Sequence, residues 1–529
     1  MKIRIASVCL SLLSVLALHE TAAAQPSEPD PTCETAEPLQ DKYQYLRSLS
    51  LAIRGTVPTL EEYQALHDLD DVPDSWLEQW LTSADFAAQV ARFHESKLWN
   101  RVDNRSPYQA FSIGGGGPGQ VPASGYHLSS IYRGAAVGCR DEPAEFDANG
   151  NIIAEWNEEL AAFQEGYVMV SPYWAPDTPI KVCAYNAQEA LMSPTGTECG
   201  TTASLSDPFC GCGPNLRWCS NSTVDNTVKR SLGWAVTKTI EFLITEERPY
   251  TDLFLGNVTY VNGPLVHFWR HFALRGSYLD RNETMLPLAL DPATLPNLDY
   301  TEVDTWLPVE LPPFHAGLFS SPAYLLRFTV NRRRARQFYE SFLCKPFLPP
   351  SGGLVIDEES AKEPDLQVRP GCSYCHKTLE PAASYWGRWT ARGAGFLEPV
   401  EYTAFREDCE YCASYGDCSF DCKRHYVTGG FTSKEAAYIG WLKPLQFLEE
   451  SNHPNLEYGP KLLFQKNIVN GTIAHCTTRN TIDWLSRRTP RPYEADWVAE
   501  LAGLFAASNY DYRTLVKAIV TDPRFRRSL

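Results

Sequence analysis

Six consecutive residues, Gly371-Cys372-Ser373-Tyr374-Cys375-His376, constrain this chain more than any other stretch. On one helical turn, two cysteines with two residues between them place both sulfurs on the same side. A histidine immediately after presents an imidazole nitrogen from that side too. The arrangement matches covalent attachment of a c-type haem, in which the thiols add across the porphyrin vinyl groups and the histidine supplies the proximal iron ligand. A disulfide between the two cysteines, or a zinc knuckle, is the plainer use of such a pair, and both leave His376 accidental. The expected cofactor is therefore one haem c, held at Cys372, Cys375 and His376.

A covalent tether suits a compartment in which a loosely held cofactor is lost by dilution, and the N-terminus points the same way. Met1-Lys2-Ile3-Arg4 precedes an apolar run from Val8 to Leu18 and then Ala22-Ala23-Ala24, the layout of a secretory signal peptide over 1–24. Cys9 sits inside the apolar run and not at the cleavage junction, so a lipoprotein anchor is not expected. No later stretch approaches the roughly 20 apolar residues that a membrane span needs. The expected location is the periplasm or the cell surface and beyond. Sixteen cysteines fit an oxidising compartment. Setting aside Cys9 and the haem pair leaves an odd number, so at least one has a use other than pairing within the chain. The formal charge of −17, or −18 once Lys2, Arg4 and Glu20 leave with the leader, argues against nucleic acid or an anionic membrane as main partner.

Apolar spacing predicts a mainly α fold, with helical modules around the haem segment and a long irregular, disulfide-rich insertion. Length alone suggests roughly three domains, and composition divides the chain more finely. Residues 25–105 read as an N-terminal helical module. There Thr59 and Glu62 form a capping box with Pro58 and Tyr63 in the staple positions, and further helices run through Trp76, Leu77, Trp80 and Leu81 and through Phe86, Val90 and Phe93. Residues 106–225 are the insertion, rich in glycine and proline, with Cys139, Cys183, Cys199, Cys210, Cys212 and Cys219. Its glycine run 114–119 lacks the Lys-Ser/Thr ending of a phosphate loop. Residues 226–344 form a second helical module, with helices at 228–244 and 323–342 separated by a polar, proline-containing connection. Residues 345–430 are the haem-binding segment, and 431–529 a C-terminal module with apolar stripes at 473–485, 497–505 and 512–520.

The second axial ligand is open at this level. The last methionine, Met285, lies upstream of the motif, so no downstream methionine is available. The distal candidates are His425, His475 and His453 after the motif, His267, His271 and His315 before it, and Met285, Met192 or Met169. Each histidine has a structural or surface role as its plainer reading, and an open iron position is a further alternative. Cys409, Cys412, Cys418 and Cys422 form a second cluster, but Ala413 follows Cys412, so it is no second haem motif. Two disulfides are expected there, with closed tetrahedral zinc as the alternative. Arg332, Arg333, Arg334 and Arg336 would suit haem propionates, or else form a solvated helix face.

With these motifs in place, the haem region and its flanks resemble the planctomycete-type cytochrome c proteins, large exported multi-module proteins. The likeness covers roughly half the chain in blocks: Tyr45 to Leu51 with Pro58 to Glu62, Phe86 to Trp99, Arg248-Pro249-Tyr250 with Asn262 and His267, Ala316-Gly317-Leu318 with Pro322 to Leu325, Phe342-Leu343-Cys344 with Pro349 and Pro350, Leu379-Glu380-Pro381, and Phe464 through Cys476 to Thr521 and Phe525. Leu379-Glu380-Pro381 stands where that family has Leu-Asp-Pro. The chain departs from the pattern at Ala382-Ala383-Ser384-Tyr385-Trp386 and in the cysteine cluster that follows. The resemblance implies haem binding at Cys372, Cys375 and His376; it carries over no distal ligand and no single substrate.

The leading expectation is one-electron transfer to or from a redox protein partner, with membership of a larger complex or cell-surface association compatible with it. A haem-dependent oxidoreductase with an open iron position is the alternative, because the chain is several times longer than a haem carrier needs. An extracellular binding or structural protein is the third reading. No nucleophile elbow, Walker loop or zinc-protease motif supports a hydrolase.

Overall fold

The computed structural model describes residues 39–102, 111–112, 138–201, 204, 207–272, 291–348, 353, 358, 362–391, 393–430 and 432–527. The leader, Cys33, the glycine run 114–119, Met285, Pro349 and Pro350 lie outside the described residues. Helices dominate, accompanied by five two-stranded sheets among the described residues. No described helix is long and apolar enough to cross a membrane.

The N-terminal helices are Lys42–Ile53, Leu60–His67, Asp74–Leu81 and Ala84–Leu98. The capping box at Thr59 forms as read: its hydroxyl accepts from the Glu62 amide at 3.2 Å, and the Glu62 carboxylate accepts from the Thr59 amide at 2.8 Å. Helix Ala84–Leu98 packs against the long helix Ser222–Thr245. Their approach is close enough that a Cβ on Gly233 would lie 2.9 Å from the Asn100 carbonyl. A side chain at position 233 would therefore force the Asn100 backbone to shift.

Gln40–Leu529 forms one compact unit, with a single large core running from the first helix to the last. The C-terminal helices Thr472–Ser486, Ala495–Ala507 and Tyr512–Thr521 return to the N-terminal ones. Tyr45 donates to the Val520 carbonyl at 2.9 Å, and the Arg526 guanidinium lies 4.2 Å over the Tyr45 ring. The disulfide Cys344–Cys476 spans 132 residues and ties the chain just past helix Asn331–Phe342 to the C-terminal helices. Closing a loop of that size removes chain entropy worth on the order of 5 kcal/mol from the unfolded state.

The insertion is built from short antiparallel pairs, Glu145–Phe146 with Ile152–Ile153, Glu155–Asn157 with Ala162–Gln164, and Tyr167–Val170 with Ile180–Cys183. Three disulfides, Cys139–Cys183, Cys199–Cys210 and Cys212–Cys219, cross-link it around a small core of its own at Val182, Leu216 and Trp218.

Two expectations need correction. The polar connection of the second module contains a sheet, Val258–Val261 paired with Leu307–Glu310, and the helix Gly263–His271. The β-branched run Val258-Thr259-Tyr260-Val261 carried that signal. The helix expected over 323–342 is two helices, Pro322–Arg327 and Asn331–Phe342. Arg334, fully buried, explains the break: its guanidinium donates to the carbonyls of Leu325 at 3.2 Å and Phe328 at 2.9 Å, which end the first helix. It also reaches the carbonyls of Trp389, Thr390 and Gly393 at 3.3, 2.9 and 2.9 Å. Arg334 is thus an internal cap, neither part of a solvated face nor available to propionates.

Arg334→Lys keeps the charge but cannot reproduce the planar fork, which strands several buried carbonyls. The expected loss is about 3 kcal/mol or more in urea unfolding; an unchanged midpoint would remove Arg334 from this role.

Candidate functional site

The loop before the motif is set by local hydrogen bonds. The Asp365 carboxylate accepts from the Gln367 amide at 2.8 Å, and the Asp365 carbonyl accepts from the Arg369 amide at 2.8 Å. Gly371 then takes φ of 78°, a left-handed conformation that costs glycine little. It turns the chain into the helix Ser373–Ser384, with Cys372 at its N-cap. The His376 amide donates to the Cys372 carbonyl at 3.1 Å, so Cys372, Cys375 and His376 share the first turn, as the spacing predicts.

This helix is polar at one end and apolar at the other. Ala382 and Ala383 are buried and Trp386, just past the helix, is fully enclosed, whereas Tyr374 is 60 % exposed and both motif cysteines are partly exposed. Packing against Asn331–Phe342 holds it in place. Asn331 donates to the Trp386 carbonyl at 3.0 Å, and the Trp386 indole donates to the Phe319 carbonyl at 3.1 Å. The motif is therefore presented at the surface on a rigidly anchored element.

Sulfur bookkeeping separates the two motif cysteines from the rest. Among the described residues, six disulfides take twelve cysteines, and Cys372 and Cys375 remain as thiols. The cluster downstream forms Cys409–Cys422 and Cys412–Cys418, which is the expected pair of disulfides. Asp408, Cys409 and Cys422 lie close together, as do Cys139, Glu165 and Cys183, but in both groups the sulfurs are bonded to each other and offer a metal no thiolate.

Beside the thiols stands a hydrogen-bonded imidazole. His376 Nδ1 lies 2.5 Å from Glu380 Oε1, and Arg332 Nε lies 2.7 Å from the same oxygen. The Glu380 side chain is 6 % exposed, so its carboxylate is a fixed acceptor. Donation from Nδ1 sets the tautomer and leaves the Nε2 lone pair free, the atom an iron would take. Two unbridged thiols, the adjacent imidazole with one nitrogen engaged and the other unbonded, and their shared helical turn fit a c-type haem.

The distal candidates are scattered. His425 is buried against the Tyr402 ring, His453 Nε2 bonds the Leu448 carbonyl at 3.0 Å, and His475 is exposed on Thr472–Ser486. His267 stacks on Tyr173 with His271 beside it, its Nε2 buried without a hydrogen bond, and burial holds its pKa well below the usual value. His315 bonds Ser320 Oγ through Nδ1 at 3.0 Å, and burial pulls its pKa down to about 3. Met169 and Met192 are exposed on the insertion. Among the described residues, none of these side chains makes a hydrogen bond or ring contact with Cys372, Cys375 or His376.

Of the arginine cluster, Arg332 alone reaches the motif helix by an ion pair, through Glu380; Arg333 and Arg336 turn toward a different pocket. The Glu380 contact was not read from the sequence, although a histidine and a carboxylate four apart on a helix are neighbours.

No protein-family model, curated protein sequence or solved structure matches the chain.

Alkylation of the denatured, non-reduced protein made without haem-attachment machinery should label Cys372 and Cys375 and leave the six disulfide pairs unlabelled. Protection of both by a Cys372–Cys375 disulfide would count against the site.

Proposed function

We propose that this is an exported protein carrying one c-type haem on Cys372, Cys375 and His376, and that it exchanges single electrons with a redox protein partner. The observation that carries the reading is the sparing of the motif thiols in a chain whose other described cysteines are all oxidised. The leader pattern at 1–24, the six disulfides, and the likeness of several segments to planctomycete-type cytochrome c proteins support export and haem attachment together.

A haem bound here supplies a one-electron couple at its iron. The chain's own residues set the conditions around it. Glu380 holds the Nδ1 proton of His376 and fixes the ring plane, and Arg332 balances the carboxylate charge from the solvent side. Arg332 and Glu380 also border a cleft of about 130 Å³ with Lys434 and Phe447. Trp386 anchors the far end of the motif helix in the core.

One observation favours the alternative of a haem oxidoreductase. A carboxylate on the far nitrogen of a ligating imidazole raises its basicity and suits iron in higher oxidation states.

Optical spectra of the matured protein with and without carbon monoxide separate the two. A low-spin spectrum indifferent to carbon monoxide supports electron transfer, and a high-spin spectrum that shifts supports the oxidoreductase. Glu380→Gln removes negative charge from the ligand's partner and should raise the reduction potential. An unchanged potential would detach Glu380 from the iron ligand.

A further inference from the structure

A pocket of about 560 Å³ opens between the end of helix Ala84–Leu98 and the start of Asn331–Phe342, and nothing in the haem reading uses it. Its wall carries four guanidinium groups, Arg101, Arg327, Arg333 and Arg336, against one carboxylate, Glu340. Glu340 pairs with Arg336 at 2.7 Å. Arg101, Arg327 and Arg333 form no ion pair with a described carboxylate. In a chain of net charge −17 this concentration of positive charge is a local exception.

Two physical costs are accepted to build it. Arg332 and Arg333 occupy the first turn of Asn331–Phe342, which has no acidic residue and no capping side chain. Cations there oppose the helix dipole. Trp99 sits in the left-handed region at φ 49°, sparsely populated for a bulky side chain. Trp99 closes helix Ala84–Leu98 in this conformation and lines the pocket, 54 % exposed, with Arg327 5.4 Å from its ring. Buried Phe328 adds an apolar floor. The volume falls within the range of small-molecule sites.

We propose that this pocket binds a small polyanion, its carboxylate or phosphate oxygens taken by the guanidinium forks of Arg101, Arg333 and Arg336 beside Trp99 and Phe328. Guanidinium is the side chain best matched to both anions, because its donors pair with two oxygens at once. The site is independent of haem attachment and stands or falls without it.

Calorimetric titration of the full-length protein with citrate, with pyrophosphate and with neutral maltotriose tests it. Saturable binding of citrate alone assigns carboxylates, and of pyrophosphate alone assigns phosphates. In either case Arg333→Gln and Arg336→Gln should weaken binding about tenfold or more, whereas Arg527→Gln, exposed just past the helix Pro523–Arg526 and outside the pocket lining, should leave it unchanged. Arg336 is 58 % exposed, so its replacement leaves the fold intact by thermal melting. Absence of saturable binding by either anion, equal binding of maltotriose, or undiminished binding in a folded Arg333→Gln/Arg336→Gln protein overturns the proposal.

Discussion

The guanidinium of Arg334 is the interaction on which the functional half of the structure depends. It gathers carbonyls from the end of one helix and from the segment beyond the motif helix, all within the core. By stopping the first helix at Arg327 it fixes where Asn331–Phe342 begins and which way each following arginine points. Arg332 reaches Glu380, and Arg333 and Arg336 line the polyanion pocket. A continuous helix over 323–342 would rotate these side chains away from their present partners. One buried cation bonded to main-chain carbonyls thus aligns two surface sites.

Burial explains why the motif helix can hold a reactive pair at the surface. The helix is anchored at its C-terminal end by Trp386 and open at its N-terminal end, where Gly371 reverses the chain. The thiols and imidazole stand on a rigid element while remaining accessible, which covalent attachment requires. Glu380 is the hinge between the two ends: buried as part of the core, and bonded to His376 as part of the site.

Much of this was legible in the residues, because it depends on local periodicity. The capping box at Thr59, the long helix around 228–244 and the three C-terminal stripes fold as their spacing implies. The motif forms one helical turn for the same reason. What depends on distant partners was not legible. No spacing rule pairs Cys344 with Cys476, which are separated by 132 residues. Nor does a cluster of four arginines tell which one turns inward, since that depends on carbonyls more than 50 positions away. The contact of His376 with Glu380 falls between these cases, readable once the helix is assigned. The second axial ligand stays unread because the candidate histidines each serve packing or local hydrogen bonds, and their sequence signature is the same either way.

The central claim is that Cys372 and Cys375 hold a haem through thioether bonds. Mass spectrometry of the peptide containing Cys372 to His376, digested without reduction from the matured, secreted protein, tests it most directly. Thioether attachment gives a peptide heavier by one haem, with both cysteines modified. A peptide with two free thiols, or with a Cys372–Cys375 disulfide and no haem, would contradict it.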